Sequence, residues 1–351
     1  MTLISQHRHE TLDCPPTGSV HYLPHTGLKG YFLNVPALRT LLTAIKPDLV
    51  NAHYASGYGT LAALVHFRPA VLSVWGSDVY DFPYELPPLK MWLMRWILSR
   101  FDRVASTSRV MAAQVRKLTP RVEHIDVTPF GVDTSVFVPV PGARDERCIT
   151  IGTVKTLARK YGVDSLIRAF AQARDDGEVE AAGLRPKLRL VLVGDGSERL
   201  TLSSLARELG IEDCTTFVGA VEHARVPQFL NQFDIYVAVS RLDSESFGVA
   251  VIEASSCAVP VIVSDKGGLP EVVEPNVTGF VAPADDVVRT AQHLKSLILD
   301  DSLRQKMGAA GRQRVIYHYE WRACIETMVA CYSAAIDGYR AEQQPASKKS
   351  C

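Results

Sequence analysis

The stretch at residues 240–273, SRLDSESFGVAVIEASSCAVPVIVSDKGGLPEVV, decides the reading of this chain. It follows a β-rich run, Ile235–Val239, with a polar loop between that run and a helical pattern opened by Phe247-Gly248-Val249. The first amides of a helix lack intrahelical partners and carry the positive end of its dipole, so such a start suits an anion. Glu245 lies just before that end. Glu253 lies within the helix, about 9 Å further along. That is the reach from a phosphate to the ribose of the same nucleotide. One carboxylate can therefore address a sugar, and the other can accept hydrogen bonds from ribose hydroxyls. Taken alone, two glutamates at this spacing are ordinary solvated helix charges. The Gly267-Gly268-Leu269-Pro270 turn changes that balance, because it adds a second Gly-rich edge near the same sheet end.

Outward from this stretch, short β-rich runs alternate with helical patterns, the signature of parallel α/β architecture. The first series has strands at Thr2–Ser5, Val20–Leu23, Asp48–His53, Val71–Trp75, Arg103–Ser106 and Ile125–Pro129. Helical patterns fall at Val35–Ile45, Gly59–His66, Leu89–Phe101 and Val110–Lys117. Val138–Arg147 is Pro-rich and then charged, and reads as a linker. The second series has strands at Ile149–Thr153, Leu188–Val193, Thr215–Val218, Ile235–Val239, Val261–Val263 and Gly279–Val281. Two doubly wound halves follow, with ligands expected outside the carboxyl ends of the strands.

Composition agrees with a globular, two-domain chain. There are 351 residues, with 38 Lys+Arg against 38 Asp+Glu. Zero net charge argues against a generic nucleic-acid binder. No apolar run approaches the length of a membrane span, and the start, MTLISQHRHE, lacks the apolar core of a secretory signal. Seven widely spaced cysteines without C-x-x-C fit reduced thiols, most of them buried, and hence a cytoplasmic protein.

The ordered motifs resemble those of the family 4 retaining glycosyltransferases of the GT-B fold. The resemblance rests on Glu245-Ser-Phe-Gly-Val-Ala-Val-Ile-Glu253, an E-x7-E motif, then Gly267-Gly-Leu-Pro-Glu271 and Asn276–Asp285. Val193-Gly194-Asp195-Gly196 and Phe217-Val218-Gly219 stand upstream. It spans Asp48 to Tyr332 and implies two Rossmann-like domains facing a cleft. Residues 1–140 would form the acceptor-side domain and 147–318 the sugar-nucleotide domain. A helix at about 321–339 would pack back on the first domain, ahead of a flexible tail at 341–351. The resemblance further implies that Glu253 binds the nucleotide ribose and Glu245 the transferred sugar. The amides of Phe247, Gly248 and Val249 would hold sugar and diphosphate, while Gly194, Asp195 and Gly219 would line the donor pocket. The family commonly neutralises the leaving diphosphate with an Arg and a Lys five residues later. Here Lys155 and Lys160 have that separation, with Arg159 as a rival and Tyr161 as an added residue before Gly162. A lysine acts as a point charge and lacks the guanidinium fork.

In the first half, His53 matches a family histidine on the sugar or acceptor side, and Asn51 stands where relatives often carry another histidine. Asp78, in Trp75-Gly-Ser-Asp78, is an acceptor-side residue or a turn former. Pro129-Phe130-Gly131-Val-Asp133 reads as hinge-side structure. On the Leu89–Phe101 helix, Trp92 and Trp96 share a face with Arg95 and Arg100. That pairing suits a membrane interface with anionic headgroups, or else aromatic packing with arginine stacked on the rings. The resemblance also implies a strand, a Gly-rich loop and a helix ahead of Thr2–Ser5. A chain without that unit is expected to be destabilised and weakly active.

The expectation is an enzyme that moves a sugar from a nucleoside-diphosphate sugar to a glycan or lipid-linked acceptor, in surface-glycan or lipid-linked oligosaccharide assembly. Retention, no metal, no cofactor and no nucleic-acid partner are expected, with peripheral contact at the cytoplasmic face of a membrane. An inactive binding subunit of the same fold is the alternative. A dinucleotide oxidoreductase is disfavoured, since Gly194-Asp-Gly196-Ser-Glu-Arg199 ends on Arg where the phosphate-binding turn needs Gly.

Overall fold

The structure is a computed structural model that describes residues 1–7, 18–120 and 122–344. The chain divides into two compact units. One comprises Met1–Thr107, Met111–Thr128 and Thr327–Cys351, the other Ser108–Val110 and Pro129–Glu326.

The first unit holds strands β1 (Thr2–Ser5), β2 (Ser19–Tyr22), β3 (Val50–His53), β4 (Ala70–Val74), β5 (Arg103–Ser106) and β6 (Ile125–Val127). They form two parallel sheets rather than one, β1-β2 and β3-β4-β5-β6. β4 is buried along its whole length, as expected of a central parallel strand. Its side chains alternate. Leu72 and Val74 meet Met94, Ile97 and Met111 in one core, and Val71 meets Ala105, Cys331 and Ala335 in another.

The second unit holds β7 (Ile149–Val154), β8 (Leu188–Val193), β9 (Thr215–Gly219), β10 (Ile235–Ala238), β11 (Val261–Ser264) and β12 (Gly279–Ala282). They form one parallel sheet in the order β12-β11-β10-β7-β8-β9. Ile235 and Val237 pack with Phe170, Leu190 and Leu294 on one face, while Tyr236 and Ala238 pack with Phe233, Ile252 and Val263 on the other. The strand order reverses between β7 and β10, so the loops leaving those two strands flank the topological switch point.

Strand positions agree with the sequence reading to within about two residues. Several helix ends differ. The Leu89 helix stops at Leu98, and the last helix is Trp321–Gln343, so residues 341–343 are helical rather than part of a tail. Residues 345–351 of that expected tail, with Cys14 and Cys351, lie outside the described residues. Among the other cysteines, Cys214, Cys257, Cys324 and Cys331 are buried and Cys148 is partly so. A short helix, Gly27–Leu33, is not anticipated, because its two glycines weaken the helical pattern. The Pro-rich stretch Val138–Arg147 is not a free linker. Val140 N donates to Asn231 Oδ1 at 2.7 Å, and Arg144 Nη2 donates to the Ala258 carbonyl at 3.1 Å. Among the described residues no helix is long and apolar enough to cross a membrane.

Candidate active site

The switch point of the second unit opens into a cavity of about 520 Å³. Its walls come from the segments after β7, β8, β9 and β10, and from the start of the helix Val249–Ser256.

Glu245 stands on the loop after β10. Its Oε2 accepts from Lys155 Nζ at 2.7 Å and from Ser240 Oγ at 2.9 Å. The side chains of Lys155 and Glu245 are only 14% and 13% exposed, so this ion pair is shielded from most solvent screening. The Gly267-Gly268 turn fixes the loop from behind. Gly268 N donates to the Glu245 carbonyl at 2.8 Å. Gly267 has φ +52°, and a Cβ there would sit 2.0 Å from the same carbonyl oxygen. The two motifs, read separately along the chain, are thus one clamp.

Lys155 and Lys160 both point at the ring of Tyr161, with Nζ 4.7 and 4.9 Å from its centroid. Each ammonium group lies within cation–π range of that ring. Lys155 lines the main cavity. Lys160 lines a smaller adjoining hollow of about 80 Å³ with Tyr161, Ser240 and Glu245.

Gly248, at φ +101°, caps the helix that begins at Val249. Phe247, Gly248 and Val249 all border the cavity. The Phe247 ring itself is buried, held edge-on by Phe130 and Tyr319 at 5.7 and 5.6 Å. It anchors the turn, which leaves the backbone to face the cavity. Gly194 and Asp195 border the cavity as expected, and Gly194 N donates to the Gly219 carbonyl at 2.8 Å. Gly219 is not on the wall. The wall is made by the next residues, Ala220 and Val221.

Glu253, one helical turn in, is buried at the cavity edge. Burial pushes its pKa up, opposed by hydrogen bonding to His223 and by the Lys155 charge. His223 Nε2 lies 2.7 Å from Glu253 Oε1. The sequence reading gives no role to His223 or Ser240, names Tyr161 only as an added residue, and places Phe130 in a hinge. No periodic or motif signal marks His223.

Sequence comparison places these features in a family. Residues 140–314 match the description "Glycosyl transferases group 1", and residues 2–108 match "Glycosyl transferase 4-like". The chain is 30% identical, over 283 residues, to the GDP-mannose-dependent alpha-(1-6)-phosphatidylinositol monomannoside mannosyltransferase of Mycobacterium tuberculosis. That alignment covers 75% of this chain and 71% of the relative. The chain belongs to the group 1 glycosyltransferases. Its fold is GT-B, with two Rossmann-like domains. Sucrose-phosphate synthase from Thermosynechococcus elongatus superposes with a TM-score of 0.80 at 21% identity, over 96% of this chain and 89% of that one. Anabaena HepE in complex with UDP superposes with a TM-score of 0.77 at 20% identity, over 90% and 86%.

In the first unit of this group 1 glycosyltransferase, His53 ends β3. Asn51 Nδ2 lies 3.2 Å from His53 Nε2 and donates to the Tyr332 hydroxyl at 2.7 Å, and the His53 ring stands edge-on to Trp75 at 5.7 Å. Desolvation lowers the His53 pKa although the residue as a whole is exposed, so the neutral imidazole prevails near neutral pH. The following residue, Tyr54, has φ +75° and starts a π-helical turn, Tyr54–Gly59. Such turns and such dihedrals concentrate at functional sites.

Asp78 does not reach an acceptor surface. It is fully buried, and its carboxylate accepts from the amides of Ala55 at 2.8 Å, Gly76 at 2.8 Å and Trp75 at 3.1 Å. It is the turn former. Trp96 and Arg100 also face the protein. Trp96 packs against the first-unit core, and the Arg100 guanidinium lies 5.1 Å over its ring. Trp92, at 63%, and Arg95 remain exposed. The helix rotates by about 40° over four residues, enough to turn Trp96 onto the core edge.

Proposed function

We propose that this group 1 glycosyltransferase moves a sugar from a nucleoside-diphosphate sugar to the hydroxyl of a glycan or lipid-linked acceptor, with retention and without a metal ion. The observation that carries the reading is the Lys155–Glu245 pair at the switch point, in the same cavity as Glu253 and the Val249 helix start. Glu253 takes the ribose hydroxyls. The helix start and the two lysines take the diphosphate. Glu245 addresses hydroxyls of the transferred sugar while Lys155 and Ser240 fix its carboxylate. The C1–O bond to the diphosphate breaks as the acceptor oxygen bonds to C1 from the same face. The acceptor's proton passes to the departing phosphate oxygen, so no protein nucleophile is required. Fixed cations that meet charge as it develops account for most of the acceleration. His53 is assigned to the sugar or acceptor side. On this reading the two lysines neutralise the diphosphate in place of a metal ion.

The lipid-linked acceptor draws support from the Mycobacterium relative, whose name specifies a phosphatidylinositol mannoside. It also draws on a surface of the first unit. Tyr84, Leu86, Leu89 and Trp92 are each more than half exposed. Exposed Arg95, Arg116 and Lys117 accompany them on adjoining helices, joined where Arg95 Nε donates to the Leu118 carbonyl at 2.8 Å. Apolar side chains with a basic fringe suit the surface of an anionic bilayer, and the working place is then the cytoplasmic face of a membrane.

Thermal shift with a panel of UDP- and GDP-sugars tests the donor reading. One of them raises the melting temperature of the native chain, and a panel without effect counts against it. Sedimentation with anionic vesicles tests the surface. Leu89→Ala with Trp92→Ala lowers partitioning at least about fivefold, and unchanged partitioning removes the membrane contact.

A further inference from the structure

Glu253 is the most deeply buried acidic side chain of the cavity, 7% exposed, and the partner it meets there is His223, 74% exposed. His223 opens the single helical turn His223–Arg225 after β9, and Glu253 lies in the helix after β10. The sheet order, not local sequence, brings them together. Their closest atoms are 2.7 Å apart. When Glu253 is ionised its carboxylate can only accept, and Nε2 is then the donor. The other side of the imidazole leans on the buried ring of Phe137, with centroids 5.6 Å apart. The Phe137 carbonyl in turn accepts from Ser256 Oγ at 2.6 Å, one turn beyond Glu253 on the same helix. The histidine is therefore held between an aromatic ring and the carboxylate, and both His223 and Glu253 border the cavity.

This arrangement meets a specific need. A carboxylate that reads a ribose diol must be ionised and held in one rotamer, yet burial works against its charge. A charge-assisted hydrogen bond to one oxygen supplies both, and it uses one lone pair of four. The remaining acceptor positions stay available to the sugar.

We infer that His223 is a positioning residue for the nucleotide ribose, which it serves by fixing the Glu253 carboxylate. This rests on the reading of Glu253 as the ribose ligand. The prediction concerns discrimination rather than bulk affinity. A positioning role weakens ribonucleotides and spares 2′,3′-dideoxynucleotides, which lack the diol, whereas a merely structural role weakens both alike.

The test is calorimetric titration of the native chain, His223→Ala, His223→Gln and Glu253→Gln with UDP, GDP and their 2′,3′-dideoxy forms. For the nucleoside diphosphate that binds, the native chain prefers the ribo form. His223→Ala lowers that preference about tenfold, the equivalent of about 1.4 kcal/mol, through the ribo form alone. His223→Gln restores most of it, because its amide can donate from a similar position. Equal weakening of both forms by His223→Ala, or an unchanged preference, overturns the inference. Glu253→Gln separates the two levels. If it abolishes the preference while His223→Ala does not, Glu253 stays the ribose ligand and only the positioning role falls. If it leaves the preference intact, the assignment of Glu253 falls and takes this inference with it.

Discussion

Lys155 Nζ and Glu245 Oε2 stand 2.7 Å apart across 90 residues of sequence, each side chain largely withdrawn from solvent. Lys155 follows β7 and Glu245 follows β10, so the parallel pairing of two adjacent strands creates the contact. Removing one member leaves the other charge shielded and unpaired. Lys155→Met and Glu245→Gln should each destabilise the chain, by about 1–3 kcal/mol. The double variant should recover part of that loss, a coupling that urea denaturation of all four chains measures. Strict additivity would mean that the pair contributes nothing in solution.

Glu253 links binding to pH. Burial raises its pKa in the folded state, so folding favours the protonated form. The associated stability is present at low pH and lost as pH rises through the folded pKa. Glu253→Gln removes the charge. It should raise the melting temperature by roughly 2–4 °C at about pH 8, with no gain at about pH 4, where both side chains are neutral. A scan of Tm against pH checks the sign. A gain that grows towards acid would refute it.

The Tyr161 ring lies within 5 Å of both lysine ammonium groups. Tyr161→Leu should weaken nucleoside-diphosphate binding by about three- to fivefold, the scale of one cation–π contact. Tyr161→Phe should bind almost as the native chain does. Equal losses in both variants would place the effect on the hydroxyl instead.

Asp78 holds three backbone amides beneath the turn that carries Trp75. Asp78→Ala should cost about 2–4 kcal/mol in first-unit stability, because buried donors lose their acceptor. Donor-nucleotide affinity of the folded fraction should stay unchanged. Denaturation and calorimetry on the same preparation separate the two.

The sequence was most legible where apolar runs repeat. Strands such as Ile235–Ala238 and Val261–Ser264, buried on both faces, leave an unbroken apolar signature that marks them and their loops. The two glutamates, Lys155 and the Gly267 turn follow strand ends, which is why motif and spacing found them. His223 escaped because its partner is 30 residues away and its ring is mostly exposed. Its position is set by tertiary packing alone. Tyr161 was seen only as an added residue, because a ring that meets two cations has no sequence pattern. For Trp96 the sequence left a membrane interface and ring packing open, because a 40° turn of the helix decides between solvent and core and composition does not encode that angle; the structure gives the packing. The division of the first unit into two sheets depends on strand pairing, which alternation cannot reveal.

The central claim is that this cavity binds a nucleotide sugar and breaks its glycosyl–phosphate bond. The most direct test is nucleoside-diphosphate release from UDP- and GDP-sugars by the native chain, Lys155→Ala and Glu245→Gln, with the anomeric configuration of the product read by NMR. The account predicts one donor consumed with retention, and a loss of at least about 100-fold in kcat for each variant. Turnover with inversion, or variants as active as the native chain, would contradict it.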